Sequence, residues 1–233
     1  MTLFSLKCVA IVTMLIDHIG FLLFPEYDVL RIIGRIAFPI FAWGIANGYR
    51  HTSNVKKYVY RLLMLAVVSQ VPYSLIYGTL FGMPWRMNIF VTLAMGLLTI
   101  MLYERFRVDT VLQYTSVIVM FVLSLLIPMD YGIYGLGMIF LFHLTYGRVD
   151  AMLLWQGVWV YTMIEVSYFF TRFLPYGVLR YLALPSIMQY GTLVAFLLIG
   201  MYSYKKGYAE HVWWFYWFYP VHLVILFCLY LFG

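Results

Sequence analysis

Lys7-Cys-Val-Ala-Ile-Val-Thr-Met-Leu-Ile-Asp-His-Ile-Gly20 opens with one cation and ends on an acid–imidazole pair. Between them lies almost nothing that prefers water. The stretch belongs to an apolar run over 3–23, and about 20 helical residues cross a bilayer core. Eight further runs follow, at 29–49, 59–78, 88–103, 110–128, 131–146, 149–171, 187–203 and 212–232. Few alternate with period two and most exceed strand length, so helices are favoured over a barrel. The expected fold is all-α: a polytopic transmembrane bundle of about nine spans. Connections are brief, which predicts a single integral membrane domain over 1–233.

Composition agrees. Of 233 residues, 65% are hydrophobic and only 10% charged, with a mean hydropathy of +0.91. A soluble domain is about half apolar and about a quarter charged. A soluble enzyme, a disordered chain and a disulfide scaffold are therefore excluded. Aromatics at 21%, with seven Trp, suit two membrane–water interfaces. Cys8 and Cys228 both lie in apolar runs and form neither a disulfide framework nor a metal-binding pair. The first run lacks a small-residue cleavage site and is expected to be a span, not a cleaved signal.

The net charge of +6 reads as cytoplasmic loops rather than nucleic-acid binding. With the N-terminus inside, ten basic residues fall in cytoplasmic segments: Lys7, Arg50, Lys56, Lys57, Arg61, Arg105, Arg107, Arg148, Lys205 and Lys206. Four fall outside, Arg31, Arg86, Arg172 and Arg180, and Arg35 lies within the second run. This asymmetry predicts a cytoplasmic N-terminus and an external C-terminus.

Ionisable groups within hydrocarbon are expensive and commonly face a bundle interior or cavity. Here they are Asp17, His18, Arg31, Arg35, Arg61, His143, Glu165 and His222, joined by the neutral Asn47, Gln70 and Asn88. Adjacent helical positions diverge by about 100°, so Asp17 and His18 are expected on different faces. An imidazole is suited to accept a proton near neutral pH, so His18 can serve as a proton acceptor, with an acid to orient or charge it. The pair could equally be satisfied within the bundle. Arg31 and Arg35 are one turn apart on one face. They could bind an anionic group or lock the first two spans together through Asp17. Gly34, Ala37, Gly44 and Ala46 offer small faces for close packing.

The segment from Gly48 to Arg61 is the most basic in the chain. A positive-inside loop accounts for it, and a phosphate-bearing nucleotide ligand would use the same charges. Pro72, in Ser69-Gln-Val-Pro-Tyr73, and Pro220, in Phe218-Tyr-Pro-Val-His222, fall inside the third and ninth runs. Each removes a helical hydrogen bond and could line a cavity or serve packing. Tyr219 lies about one turn from His222, and a lone His there often has a structural role. His143 and Glu165 carry no supporting pattern. No dinucleotide or phosphate-loop motif and no metal-ligand spacing occurs.

Several of these stretches together resemble the TraX family. They are Lys7 to Gly20; Arg31-Ile-Ile-Gly-Arg-Ile-Ala-Phe-Pro-Ile-Phe-Ala-Trp-Gly-Ile-Ala-Asn-Gly-Tyr49, followed by Thr52, Asn54, Tyr58, Arg61 and Leu62; Ser69 to Tyr73; and Phe218 to Leu223. The likeness runs the length of the chain and is densest at its two ends. The family's founding member acetylates the N-terminus of a conjugative pilin. The family is distantly similar to acyltransferase family three and to heparan glucosaminide N-acetyltransferase. The former carries a Lys or Arg, ten residues, then His in its first span, a spacing that Lys7 and His18 match. Its second signature, two arginines separated by two residues, is absent; Arg31 and Arg35 are separated by three.

The resemblance implies a membrane-embedded acetyltransferase in a bacterial inner membrane. Acetyl-CoA, as acyl donor, would dock from the cytoplasm on Lys7, Arg50, Lys56, Lys57 and Arg61, with no metal. Its pantetheine arm would reach along the roughly 16 Å of helix between Lys7 and His18. His18 would act as base on an amine or hydroxyl acceptor from outside, or would itself take the acetyl group. Asp17 would orient it. Arg31, Arg35, Asn47, Gln70, Tyr73, Tyr219 and His222 would form a substrate-binding or structural polar cluster. The acceptor could be a peptide N-terminus, a glycan or a small molecule. The alternatives are a small-molecule transporter, which would often show paired repeats not seen here, and a non-catalytic assembly factor for a surface polymer or pilus.

Overall fold

The computed structural model describes residues 1–83, 85–175, 178, 185–208 and 212–232. Arg180, counted above among the outer cations, lies outside the described residues. Within them the chain is helical. The helices are α1 (Leu3–Leu22), α2 (Asp28–Gly34), α3 (Ala37–His51), α4 (Val55–Phe81), α5 (Ile89–Arg105), α6 (Thr110–Leu126), α7 (Gly132–Leu144) and α8 (Val149–Phe170). A 3₁₀ turn, Ile187–Gly191, then leads into α9 (Thr192–Gly200), and α10 (Val212–Phe232) follows. Extended pairing among the described residues is an isolated bridge between Met87 and Met129.

Four helical stretches are long and apolar enough to cross a bilayer: Leu3–Leu22, Asp28–His51, Val55–Leu80 and Trp214–Phe232. Thr110–Leu126, Gly132–Leu144 and Ile187–Gly200 are apolar but shorter. Among the described residues the molecule is all-helical, with the long apolar helices of a membrane protein.

Helix starts follow local chemistry. Thr2 caps α1, its hydroxyl accepting from the Ser5 amide at 3.1 Å. The first-turn amides of Leu3 and Phe4 donate to the carbonyls of Lys205 and Lys206 at 2.9 and 3.1 Å. Asn54, Asn88 and Asp109 cap α4, α5 and α6 through their side-chain oxygens, each accepting from an amide two or three residues on. Each such cap satisfies an amide that the helix leaves without a partner.

The second apolar run keeps span length over Asp28–His51, but within it are two helices broken at Arg35–Ile36. Pro39 is the physical reason. It has no amide hydrogen for the Arg35 carbonyl, and its ring crowds that carbonyl. In the first turn of a new helix the missing hydrogen has no consequence. At the junction the Ile36 amide turns to Ile33, three residues back, at 3.2 Å. Pro72 and Pro220 differ, each sitting inside a helix, α4 and α10.

The chain forms two compact units. The first comprises Met1–Phe41, Val68–Pro84 and Ile187–Gly233; the second comprises Ala42–Val67 and Trp85–Ser186. In the first, α1 packs against both α2 and α10, and α2 packs on the 3₁₀ turn. Gly20 and Gly34 admit the α1–α2 contact: a Cβ on Gly20 would lie 2.6 Å from the Leu30 Cβ, and one on Gly34 would overlap the Asp17 side chain. Ala37 and Ala46 are buried as expected. Gly44 is not a packing glycine, since a Cβ there would meet open space. Gly34→Ala should therefore destabilise the first unit by about 1–3 kcal/mol. Thermal unfolding in detergent would show it as a lowered Tm, with no comparable change for Gly44→Ala.

In the second unit α5 packs against α6 and α7, and α7 against α8. Met95, Met120, Met129 and Leu136 form one core cluster. The Asn88 side chain donates to the Ala66 carbonyl at 2.7 Å, tying the start of α5 to α4.

Candidate functional site

Asp17 and His18 diverge as helical geometry requires, and each finds a different helix. Asp17 faces α2 and the junction that follows it. Its Oδ2 lies 2.8 Å from Arg31 Nη1, and its Oδ1 lies 2.5 Å from Arg35 Nη2. The Asp17 and Arg35 side chains are only 13% and 11% exposed, so this is a largely desolvated pair. Arg31 also donates to the Asp17 carbonyl at 3.1 Å, and Arg35 Nε to the Arg31 carbonyl at 3.2 Å. The ion-pair lock between the first two apolar runs is thus present.

His18 faces α10. Its Nδ1 lies 2.9 Å from the Met14 carbonyl, which can only accept. The same Nδ1 lies 3.2 Å from Nε2 of His222. His222 Nδ1 lies 2.7 Å from the Phe218 carbonyl, and the His222 ring stacks on Phe218. Tyr219 packs edge-on to both imidazoles. His222 and Tyr219 are each 4% exposed. The expectation that Asp17 orients His18 does not match this geometry. Both Asp17 oxygens serve the arginines, and His18 is held by a backbone carbonyl and a second imidazole.

Tyr73 joins the first unit's polar cluster through aromatic contacts. It stacks on Tyr77 at 4.3 Å, Tyr77 stacks on Phe21, and the Arg31 guanidinium lies 4.7 Å over Phe21. Gln70 donates to Ser74, one turn along its own helix, at 2.9 Å. Lys7 lies over the Phe215 ring at 5.2 Å.

The second unit holds a separate polar group. His143 Nε2 lies 2.7 Å from Glu104 Oε1, with the imidazole side chain 2% exposed. Tyr49 and Tyr103 pack edge-on to that ring. Arg50 donates to the His143 carbonyl at 3.2 Å and stacks over Tyr146 at 4.5 Å. Asn47 belongs here: Tyr146 donates its hydroxyl hydrogen to Asn47 Oδ1 at 3.1 Å. A cavity of about 650 Å³ is lined by Tyr49, Val55, Leu98, Met101, Leu102, Glu104, Arg105, Arg107 and Met120. Lys56, Lys57 and Arg61 are exposed, and Arg61 lies over Tyr58. No cluster of three or more metal-ligating side chains occurs among the described residues.

The sequence model for the TraX protein family matches residues 3–230. The chain belongs to the TraX family. It is 28% identical to a protein of Dichelobacter nodosus named "Probable fimbrial assembly protein FimC, serogroup H1", covering 96% of this chain and 93% of that one. It is 29% identical to an uncharacterized protein of Rickettsia prowazekii (strain Madrid E), covering 73% of this chain and 66% of the relative. No solved structure matches.

In this TraX protein, Arg31, Arg35, Tyr73, Tyr219 and His222 all fall in the first unit with Asp17 and His18. Asn47, Arg50, Lys56, Lys57 and Arg61 fall in the second, and Lys7 in the first. Two residues were missed by the sequence reading. His143 carries no supporting pattern in the sequence, and Glu104 is not among the candidate residues. Their contact spans 39 residues and follows no motif. The available signal was a lone acid beside Arg105, closing a helix that is otherwise uncharged.

Proposed function

We propose that this TraX protein is a membrane-embedded acetyltransferase. It moves an acetyl group from cytoplasmic acetyl-CoA to an amine or hydroxyl acceptor at the outer side of the membrane. The observation that carries this reading is the state of His18. With the Nδ1 hydrogen directed at the Met14 carbonyl, the neutral ring carries its lone pair on Nε2. That nitrogen takes the acceptor's proton as the amine nitrogen or hydroxyl oxygen bonds to the thioester carbonyl carbon. The carbon–sulfur bond then breaks. The CoA thiolate leaves and regains the proton from His18, so that acetylated acceptor and free CoA are the products. Asp17, Arg31 and Arg35 hold the helices that present His18.

The basic segment carries charges suited to the donor's phosphates. Lys56, Lys57 and Arg61 are exposed, and Arg105 and Arg107 line a cavity whose other walls are largely apolar. Arg50 is engaged with the His143 carbonyl and contributes less. Replacing Lys56, Lys57 and Arg61 together by Ala should weaken acetyl-CoA binding at least about tenfold. The residual affinity should lose most of its salt dependence. Equilibrium dialysis with labelled acetyl-CoA checks both. Unchanged affinity would remove the basic segment from the donor site.

The protein is assigned to a bacterial cytoplasmic membrane with about nine spans, a cytoplasmic N-terminus and an external C-terminus. A C-terminal alkaline phosphatase fusion should be active, and a C-terminal green fluorescent protein fusion dark. The reverse result would place the C-terminus inside.

The name of the Dichelobacter nodosus relative favours a second reading, a non-catalytic factor in fimbrial assembly. The Asp17 and His18 clusters would then serve packing alone. A folded His18→Ala protein that still supports assembly in cells, from a wild type that consumes no acetyl-CoA, would favour it. Loss of acetyl transfer with folding retained favours the enzyme.

A further inference from the structure

The second imidazole beside His18 is more than a packing neighbour. We propose that His222 is the positioning residue for His18: its Nε2 accepts the His18 Nδ1 hydrogen and so holds the His18 lone pair on Nε2. The catalytic consequence rests on the acetyltransferase reading above; the pairing itself does not.

The hydrogen-bond chain runs in one direction. The Phe218 carbonyl has no hydrogen to give, so His222 Nδ1, 2.7 Å away, is the donor. In a neutral ring that makes His222 Nε2 the acceptor. Nε2 lies 3.2 Å from His18 Nδ1, which must therefore supply the hydrogen. The Met14 carbonyl, 2.9 Å from the same Nδ1, points to the same tautomer. His18 Nδ1–H is thus shared between a carbonyl and an imidazole, and both leave the lone pair on Nε2.

The two acceptors differ in what they do once His18 takes up a proton. The Met14 carbonyl is part of α1. The imidazole is an acceptor with a basic lone pair, polarised in turn by the carbonyl it donates to, and it strengthens its bond as the His18 ring becomes cationic. It occupies the position where an acid orients the base in a catalytic triad. Asp17, the acid next in sequence, is instead held by Arg31 and Arg35. Rotation of His222 is limited by the Phe218 stack at 4.9 Å and by Tyr219 on its edge.

The test uses full-length protein labelled with ¹⁵N at histidine, without substrate, with His18 and His222 resonances assigned from His18→Gln and His222→Gln. Wild type should show both rings neutral with hydrogen on Nδ1. In His222→Phe, which keeps the aromatic volume, the His18 resonances should move part of the way toward the Nε2–H form, because the Met14 carbonyl remains as the other acceptor. In His222→Gln, whose side-chain oxygen can stand in for the lost acceptor, they should stay near wild type. In acetyl transfer, His222→Phe should lower kcat about 10- to 100-fold with KM for acetyl-CoA unchanged, and His222→Gln should recover most of it. A merely structural His222 would not produce that split.

A His18 tautomer that is unchanged in folded His222→Phe overturns the proposal, whatever the activity. So does a kcat that is equally low in His222→Gln and His222→Phe. A wild type that transfers no acetyl group overturns the enzymatic reading and with it the catalytic role of His222, while the spectra still decide the pairing.

Discussion

Asp17→Ala should be the most destabilising single substitution in the first unit, by about 3–5 kcal/mol. One carboxylate serves two guanidinium groups there, at 2.8 and 2.5 Å, in a site largely closed to water. Removing it leaves two cations close together without their counter-charge. Removing a cation as well should restore part of the loss, so Asp17→Ala combined with Arg35→Met should be more stable than the sum of the single effects implies. Such non-additivity is the signature of groups in one network. Asp17→Asn keeps an acceptor and loses the charge, and should fall between wild type and Asp17→Ala. Thermal unfolding of the purified variants in one detergent measures all of these. Strictly additive losses would mean that the three side chains are not energetically coupled.

His18→Ala should have the largest effect on activity. If His18 is the base, its loss lowers acetyl transfer by about 10²- to 10⁴-fold. The fold should tolerate the change far better than it tolerates loss of Asp17. The His18 ring contacts Tyr219 and His222 across one helix face, whereas Asp17 holds two guanidinium groups. Acetyl-CoA affinity should stay near wild type, since the proposed phosphate contacts lie on other residues. The result to look for is a folded, donor-binding protein that has lost turnover. A variant that turns over at the wild-type rate would remove His18 from the chemistry.

Much of this was legible in the residues. Apolar runs of span length announced the helices, because backbone groups in hydrocarbon must be satisfied within a segment. The spacing of Arg31 and Arg35 put both on one face, and the 100° offset of Asp17 from His18 predicted that they diverge. Pro39 could have announced the break between α2 and α3. It was obscured because the apolar pattern continues unbroken across it. What the sequence left open was pairing. Nothing local shows that Asp17 would go to the arginines and leave His18 to His222, which lies 204 positions away. Nor does it show that Glu104 meets His143. Contacts made by folding distant helices together leave no periodic trace. Gly44 makes the same point from the other side: its small side chain looked like a packing device but faces open space.

The most direct test is CoA release from acetyl-CoA by the purified protein in detergent. It would be run beside His18→Ala over a panel of peptide amines, amino sugars and glycan hydroxyls. Acceptor-dependent release by the wild type, lost in the folded variant, is the predicted result. A folded wild type that neither binds acetyl-CoA nor releases CoA with any acceptor would contradict acetyl transfer and leave the assembly role in its place.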